Sequence, residues 1–171
     1  FGEYFPVPDE VRSWLQGMGL PNRDIESGDL IQGMTQLNNI IIAPSICYED
    51  IFGSELLGYF PEANLLVNIT NNAWFGKSFA SEQHFQMSRM RAIETGRYLL
   101  RATNTGVTAI VEPNGTVRER AQSFEYSLLL GTFEPMIGNT PYIKFGNYLI
   151  VVVLILNLFL GYLWDKKQIK I

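Results

Sequence analysis

The chain has 171 residues, of which 47% are apolar and 18% charged, with a net charge of −4 at pH 7. This length fits one domain with its own core, and the acidic balance without a basic stripe argues against nucleic-acid binding. A single cysteine excludes an internal disulfide, and a single histidine provides no Cys/His cluster for zinc.

The first part of the chain predicts loops and short elements, followed by one strongly apolar strand. Residues 1–8 are a loop, 10–18 a short amphipathic helix, 22–28 a polar loop and 29–32 a short strand. The strand at 39–46 shows no alternation of apolar and polar residues, so we expect both of its faces to be covered. The chain opens without a methionine or a signal peptide, which is typical of the inside of a longer polypeptide.

The single cysteine lies where this strand ends and a helix is predicted to begin. Cys47 directly follows Ile46, and the helix is predicted over 49–59. Backbone amides at a helix N-terminus favour a thiolate and a developing oxyanion, so one interpretation of Cys47 is a nucleophile. The other interpretation is a small buried apolar residue, as most free cysteines are.

The next segment predicts a second buried strand and an unusual loop. The strand covers 64–70, and the loop covers 71–81. This loop is dense in turn residues, yet it carries Trp74, Phe75 and Phe79. Such aromatic side chains either pack on the core or line the mouth of a site for an acyl chain.

The second half of the chain completes a layered α/β domain. A long helix is predicted over 82–96, and its apolar face would consist of Phe85, Met87, Met90, Ala92 and Ile93. Strands are predicted at 98–102, 107–112, 116–120 and 126–133, and Pro113, Asn114 and Gly115 form the turn of a hairpin.

The apolar run from Tyr148 to Trp164 contains no charged residue and reaches the lower limit for spanning a bilayer. Its ends carry aromatic residues of the kind that favour the lipid interface. The lysines that follow at 166–170 outweigh Lys144 on the other side, so the positive-inside rule assigns the C-terminus to the cytoplasm. The alternative is a buried core helix.

A cysteine nucleophile needs a base, and the residue types alone leave several candidates. His84 lies inside a helix among core-like residues and is a poor candidate. Glu3, Glu49 and Glu94 are carboxylates that could act as a base if burial raised the pKa. Each could equally be a solvated or ion-paired surface group.

Seven short blocks resemble the apolipoprotein N-acyltransferase family in order and spacing. The blocks are Phe1–Tyr4 (FGEY), Ile46–Glu49 (ICYE), Asn71–Ser78 (NNAWFGKS), Gln83–Met87 (QHFQM), Arg89–Ala92 (RMRA), Thr103–Ala109 (TNTGVTA) and Gly138–Tyr142 (GNTPY). The extracytoplasmic domain of this bacterial family belongs to the nitrilase superfamily of carbon-nitrogen hydrolases. The resemblance covers essentially the whole chain.

The resemblance implies an α-β-β-α sandwich of the nitrilase type, followed by one transmembrane helix, and a Glu-Lys-Cys triad. Cys47 matches the nucleophile, and Glu3, Tyr48 and Glu49 match other residues needed for catalysis. Trp74, Phe75 and Glu94 match residues implicated in handling the lipid substrate.

In the family the triad glutamate and lysine precede the FGEY block, so this chain is expected to be the C-terminal part of a longer enzyme. The expected organisation is the C-terminal portion of the nitrilase-like domain over 1–140, a transmembrane helix over 141–165 and a cytoplasmic basic tail over 166–171. The location would be the bacterial inner membrane, with the catalytic domain on the periplasmic side.

The implied reaction is ping-pong acyl transfer. A phospholipid acylates the cysteine, and the α-amine of a diacylglyceryl-cysteine apolipoprotein then accepts the acyl chain. The enzyme would be a monomer without a metal or an organic cofactor. A membrane-anchored amidase acting on a small amide is the alternative, and a binding module without catalysis is a third hypothesis.

Overall fold

The computed structural model describes residues 33–168, together with Val11 and Trp14 before that range. Both of these residues have helical backbone. The other residues of the helix predicted at 10–18, the strand predicted at 29–32 and the candidate Glu3 lie outside the described residues.

Six strands in the described range form one mixed sheet, with neighbours in chain order. They are β1 (Thr35–Leu37), β2 (Ile40–Ile46), β3 (Leu65–Thr70), β4 (Leu99–Thr103), β5 (Ala109–Val111) and β6 (Val117–Arg120). Strands β2, β3 and β4 are parallel, and the other pairs are antiparallel. The strands predicted at 39–46, 64–70 and 98–102 and the hairpin after 107 are confirmed, whereas β1 was not predicted.

The two faces of the sheet differ. The register aligns Ala43 with Leu66 and Leu66 with Leu99, and these buried residues belong to the main core. The opposite face carries Ile42, which is half-buried, and Ile46, which is exposed. The expectation that both faces of β2 are covered therefore holds in part: Ile40 and Ile42 pack against a second cluster, whereas Ile46 at the end of the strand is exposed.

In the described range 33–168, four α-helices accompany the sheet: α1 (Gly53–Leu56), α2 (Ala80–Thr95), α3 (Pro141–Phe145) and α4 (Tyr148–Gln168). Short 3₁₀ helices cover Cys47–Ile51, Leu57–Tyr59 and Ala73–Phe75. The continuous helix predicted over 49–59 is wrong, because the backbone leaves helical geometry at Phe52 (φ −90°, ψ 74°). The next residue, Gly53, lies close to the Arg91 guanidinium, so a Cβ there would require that side chain to move.

Helix α2 confirms the long helix predicted over 82–96, but its buried face differs from the predicted one. Phe85 and Ala92 are buried as expected. The other buried residues of α2 are polar, namely Ser81, His84, Ser88 and Thr95, while Met87, Met90 and Ile93 are exposed. The apolar pattern misplaced this face, because the helix packs over charged groups of the turn that follows Cys47.

The strand predicted over 126–133 is wrong. This segment has no regular secondary structure, and its backbone does not pair with the sheet. Leu129 and Phe133 instead pack against the cluster of Leu65, Tyr98 and Ile110, so they cover part of the second face of the sheet. Apolar alternation therefore marked side-chain packing here, not strand pairing.

Helix α4 contains the apolar run, and its large apolar side chains from Tyr148 to Trp164 are exposed wherever the structure describes them. Within the described residues, no helix combines the length and apolarity that a membrane crossing requires. The transmembrane helix predicted over 141–165 is thus not confirmed, and those residues are divided between α3 and α4 with Gly146 between them.

Candidate functional site

Cys47 occupies a strained position at the carboxyl end of β2. Its φ is 51°, in the left-handed region that residues with a Cβ rarely adopt. Such a conformation costs about 1–3 kcal/mol and persists only where the surroundings enforce it. The residue opens the 3₁₀ turn Cys47–Ile51 and is 8% exposed. Both the buried cysteine and the strand-to-helix turn expected from the sequence are therefore present.

An open cavity of about 360 Å³ lies at Cys47, at the carboxyl ends of the three parallel strands. Its apolar wall consists of Ile46, Ile69 and Ala102, which are neighbours across β2, β3 and β4 in the sheet register. These three side chains are exposed. An apolar wall beside a thiol suits an acyl chain better than a small polar substrate.

Tyr48 and Glu49 lie beside the thiol in sequence, but neither lines this cavity. The Tyr48 ring stacks at a tilt on the ring of His84, with 5.4 Å between centroids. Glu49 Oε2 accepts a hydrogen bond of 2.7 Å from the Ile46 backbone N–H. This bond closes the turn around Cys47, so the described contacts of Glu49 are those of a residue that shapes the turn.

The sequence interpretation missed a buried ionic cluster directly beneath this turn. Asp50, His84 and Arg101 are each at most 2% exposed. Asp50 Oδ1 lies 2.9 Å from His84 Nε2, and Asp50 Oδ2 lies 2.9 Å from Arg101 Nη1. Apolar periodicity carries no signal for such a cluster, although an acid, a histidine and an arginine on predicted core elements hint at one.

The contacts of His84 account for both of its ring nitrogens. Arg101 Nη2 can only donate, so His84 Nδ1 is its acceptor at 3.1 Å. His84 Nε2 therefore carries the hydrogen and donates to Asp50. With both nitrogens engaged in the protein interior, His84 has no free position to take a proton from Cys47, in agreement with its low ranking as a base.

Burial lowers the pKa of Arg101, and the charges of Asp50 and Cys47 oppose this effect. The guanidinium is thus close enough to Cys47 for electrostatic interaction.

The aromatic loop is firmly held at its base. Asn72 is 1% exposed and donates to Ser81 Oγ at 2.9 Å, while its backbone N–H donates to Asn104 Oδ1 at 3.0 Å. In contrast, Trp74 is 62% exposed and Phe75 is half-buried. The loop therefore presents Trp74 to its surroundings from a rigid base, and neither Trp74 nor Phe75 lines the cavity at Cys47.

Glu94 lies away from the cavity, on the part of α2 that faces α3. Its Oε1 accepts from Arg91 at 3.0 Å, and its Oε2 is buried without a hydrogen-bond partner among the described residues. Burial raises the pKa of Glu94, and the charge of Arg91 opposes only part of that rise. Burial and Glu94 together also raise the pKa of Tyr142 in α3. The structure thus groups Glu94 with these two residues and not with Cys47.

A second open cavity, of about 510 Å³, lies beside the aromatic loop and is lined in part by Lys77, Glu82 and Phe124. Lys77 Nζ lies 5.6 Å from the centroid of the Phe124 ring.

In the described part of the chain, no three His, Cys, Asp or Glu side chains come together in an arrangement that could hold a metal ion.

The sequence pattern of one protein family, the carbon-nitrogen hydrolases, matches residues 5–142. The chain belongs to the carbon-nitrogen hydrolase family. Its mixed sheet, with the thiol at the carboxyl end of the parallel strand β2, is the nitrilase-type α/β fold that the resemblance implied.

Two bacterial relatives carry the name apolipoprotein N-acyltransferase. The protein of Nitrosomonas europaea is 45% identical over 161 residues, which are 94% of this chain and 32% of that protein. The protein of Methylococcus capsulatus is 47% identical over 148 residues, 86% of this chain and 29% of that protein. The resemblance seen in the motifs is confirmed, and the chain spans about a third of the length of these curated relatives.

A solved structure of an amidase from Nesterenkonia sp. AN1 is also similar, with a TM-score of 0.45 and 19% sequence identity. The similarity covers 56% of this chain and 40% of the amidase. A likeness this distant carries no argument about chemistry.

Proposed function

We propose that this chain is part of an acyltransferase that moves an acyl chain from a phospholipid to the α-amine of diacylglyceryl-cysteine apolipoproteins. The observation that carries the proposal is Cys47, strained at a strand end and facing a cavity with an apolar wall. The names of the relatives indicate the acceptor. Family resemblance indicates the phospholipid donor.

The proposed reaction has two covalent steps. In the first, Cys47 Sγ attacks the ester carbonyl, the S–C bond forms, and the C–O bond to the lysophospholipid breaks. A base takes the thiol proton, and the departing oxygen gains a proton. In the second, the apolipoprotein amine attacks the thioester, an amide forms, and the thiol is regenerated. By resemblance, the base glutamate and an oxyanion-stabilising lysine lie before Phe1 in the whole protein.

The other candidate residues have supporting roles in this proposal. Glu3 takes part in catalysis by resemblance alone. Tyr48 and Glu49 shape the turn that carries the thiol, as their contacts with His84 and the Ile46 backbone suggest. Trp74 and Phe75 contact the lipid, which accords with the exposure of Trp74. Glu94 acts from a distance, through the packing of α2 against its neighbours.

The proposed setting is the bacterial inner membrane, with the catalytic domain on the periplasmic side and a monomeric enzyme. The exposed apolar side chains of α4 support burial of the run at 148–164 in lipid, and the lysines after it support a cytoplasmic C-terminus. We also propose that a second sheet completes an α-β-β-α sandwich. The face opposite the main core, which Leu129 and Phe133 cover only in part, supports that arrangement.

The test is to incubate the whole protein with phospholipid labelled in its acyl chain and to look for a thioester. We expect label on Cys47, none in Cys47→Ala, and transfer of the label to an added diacylglyceryl lipopeptide. Release of the label from the enzyme as free fatty acid, without transfer to the lipopeptide amine, would identify a hydrolase. The absence of any acyl-enzyme would favour a binding module.

The alternative of a membrane-anchored amidase acting on a small amide rests on the family itself, since the family name denotes hydrolysis of carbon-nitrogen bonds. In that reaction water resolves the thioester. The apolar wall and the exposed aromatic loop favour the acyltransferase.

A further inference from the structure

The most deeply buried polar groups near the cavity have no part in the reaction proposed above. They form a connected set that we call the buried polar network. Its members are Asp50, Asn68, His84, Ser88 and Arg101, and each of them is at most 2% exposed. The ionic pair at its centre is hydrogen-bonded through both Asp50 oxygens and both Arg101 Nη atoms, and only Arg101 Nε lacks a partner among the described residues. These bonds matter because an unpaired charge at that depth would be strongly unfavourable.

The network reaches the nucleophile turn through Asn68, a fully buried residue in β3. Asn68 Oδ1 accepts a 2.7 Å hydrogen bond from Arg101 Nη1. This bond orients the amide so that Nδ2 donates to the carbonyl oxygen of Cys47 at 3.1 Å and to Ser45 Oγ at 3.0 Å. One side chain therefore connects the buried charges to the backbone of Cys47.

The opposite end of the network is equally constrained. Asp50 receives hydrogen bonds from His84, Ser88 and Arg101. Asp50 itself lies in the turn Cys47–Ile51, so the network holds this turn at two points, the Cys47 carbonyl and the Asp50 carboxylate. A turn held at both points cannot easily relax from the left-handed conformation of Cys47.

We propose that Asn68, fixed by Arg101 and Asp50, is a positioning residue that holds the Cys47 backbone so that the thiol faces the cavity. This inference rests on the proposed role of Cys47 as the nucleophile. Asn68 touches neither substrate nor the reacting sulfur in this scheme. Its effect is geometric, and misplacement of a nucleophile by even 1 Å slows a reaction by about a hundredfold.

The experiment measures acylation of Cys47 in the whole protein with p-nitrophenyl butyrate, a small activated ester. Attack by Cys47 Sγ forms the thioester and releases p-nitrophenolate, whose burst gives both the rate constant and the amount of folded enzyme. The test variant is Asn68→Ala. The matched control is Asn64→Ala, because Asn64 is also buried and also bonds to backbone, with Ile41 N and Asn39 O, at the opposite end of the same strands.

We expect the burst rate constant of Asn68→Ala at saturating ester to fall by about 10- to 100-fold. The ester concentration at half-maximal rate should not change, and Asn64→Ala should keep a rate close to that of the wild type. A purely structural role would lower the burst amplitude of both variants and leave their rate constants alike. Equal rate constants in the two variants would overturn the proposal.

A second variant, Asn68→Asp, keeps an oxygen for Arg101 but removes the N–H that donates to the Cys47 carbonyl. Its rate constant should fall as in Asn68→Ala, and a wild-type rate constant would overturn the proposal even if Asn68→Ala does not fold. Failure of the acyltransferase proposal would give a different experimental result from failure of the positioning role of Asn68. In that case the wild type gives the ester burst but takes no label from phospholipid.

Discussion

At the scale of single residues, the unusual feature is Cys47, which has a strained backbone conformation and lies in a turn held by buried charged side chains. The φ of 51° at Cys47 is maintained by hydrogen bonds to its carbonyl and by the acid three residues later in the turn, Asp50. The buried face of α2 is polar for the same reason, because its residues His84 and Ser88 are hydrogen-bonded to Asp50. The same few side chains therefore hold α2 against the turn that carries Cys47.

Replacing Arg101 by methionine should destabilise the protein by about 3–5 kcal/mol, because Asp50 would then be a buried charge without its cationic partner. Thermal unfolding of the purified protein measures this effect. The control is Arg120→Met, which breaks an exposed ion pair with Glu82 and should change the free energy of unfolding by no more than about 1 kcal/mol. Similar losses in both variants would contradict this assignment.

Glu94 should make stability fall as pH rises. Burial raises its pKa in the folded protein above the ordinary value of 4.5. Between those two values the folded protein holds a proton that the unfolded chain has already released, so the free energy of unfolding decreases with increasing pH. We expect Glu94→Gln to lack this decrease.

The measurement for Glu94 is the unfolding midpoint of both proteins across the window that begins near pH 4.5. The surface variant Glu62→Gln serves as control and should keep the wild-type pH dependence. Parallel curves for the wild type and Glu94→Gln would contradict the prediction.

At the scale of elements, the aromatic loop combines a fixed base with an exposed tip. Its base is bonded to the segment after β4 through Asn72 and Asn104, and Gly106 lies directly against that bond network. Its tip carries exposed aromatic rings at Trp74 and Phe79. A loop of this kind can present apolar groups to lipid without losing its own position.

A methyl group at Gly106 should disturb the base of the loop. A Cβ there would lie 2.2 Å from Asn72 Nδ2 and 2.6 Å from Ser81 Oγ, so both side chains would have to move. We expect Gly106→Ala to destabilise the protein by about 1–3 kcal/mol in thermal unfolding. Gly33→Ala meets nothing within 4 Å and should be close to neutral. Equal stability of the two variants would show that the base of the loop is not tightly packed.

The tip should matter for lipid and not for stability. Trp74→Ala should change the free energy of unfolding by no more than about 0.5 kcal/mol, as is usual for exposed positions. It should slow acylation by labelled phospholipid while leaving the burst with p-nitrophenyl butyrate intact. Tyr126→Ala, an exposed aromatic outside the loop, is the control. A loss of both reactions in Trp74→Ala would indicate that the ring supports the site itself.

At the scale of the whole molecule, the structure has one well-covered face of the sheet and one incompletely covered face. The main core lies on the side of α2, whereas Ile46 and Ile69 remain exposed on the other side. The chain also spans about a third of the length of its curated relatives. The cavity at Cys47 opens on the incompletely covered side, since Ile46 and Ile69 line it.

The sequence by itself determined the positions of the strands β2, β3 and β4, the thiol at the end of β2, the long helix and the family. Local signals suffice for these features, since apolar runs define buried strands and short motifs keep their spacing. Only the tertiary structure decided that Cys47 is strained, that α2 buries His84 and Ser88, and that Glu94 lies apart from the cavity. The physical reason is that the buried Asp50–Arg101 pair joins residues far apart in sequence. The spacing of apolar residues along one element gives no information about a charged side chain that a residue on another element neutralises.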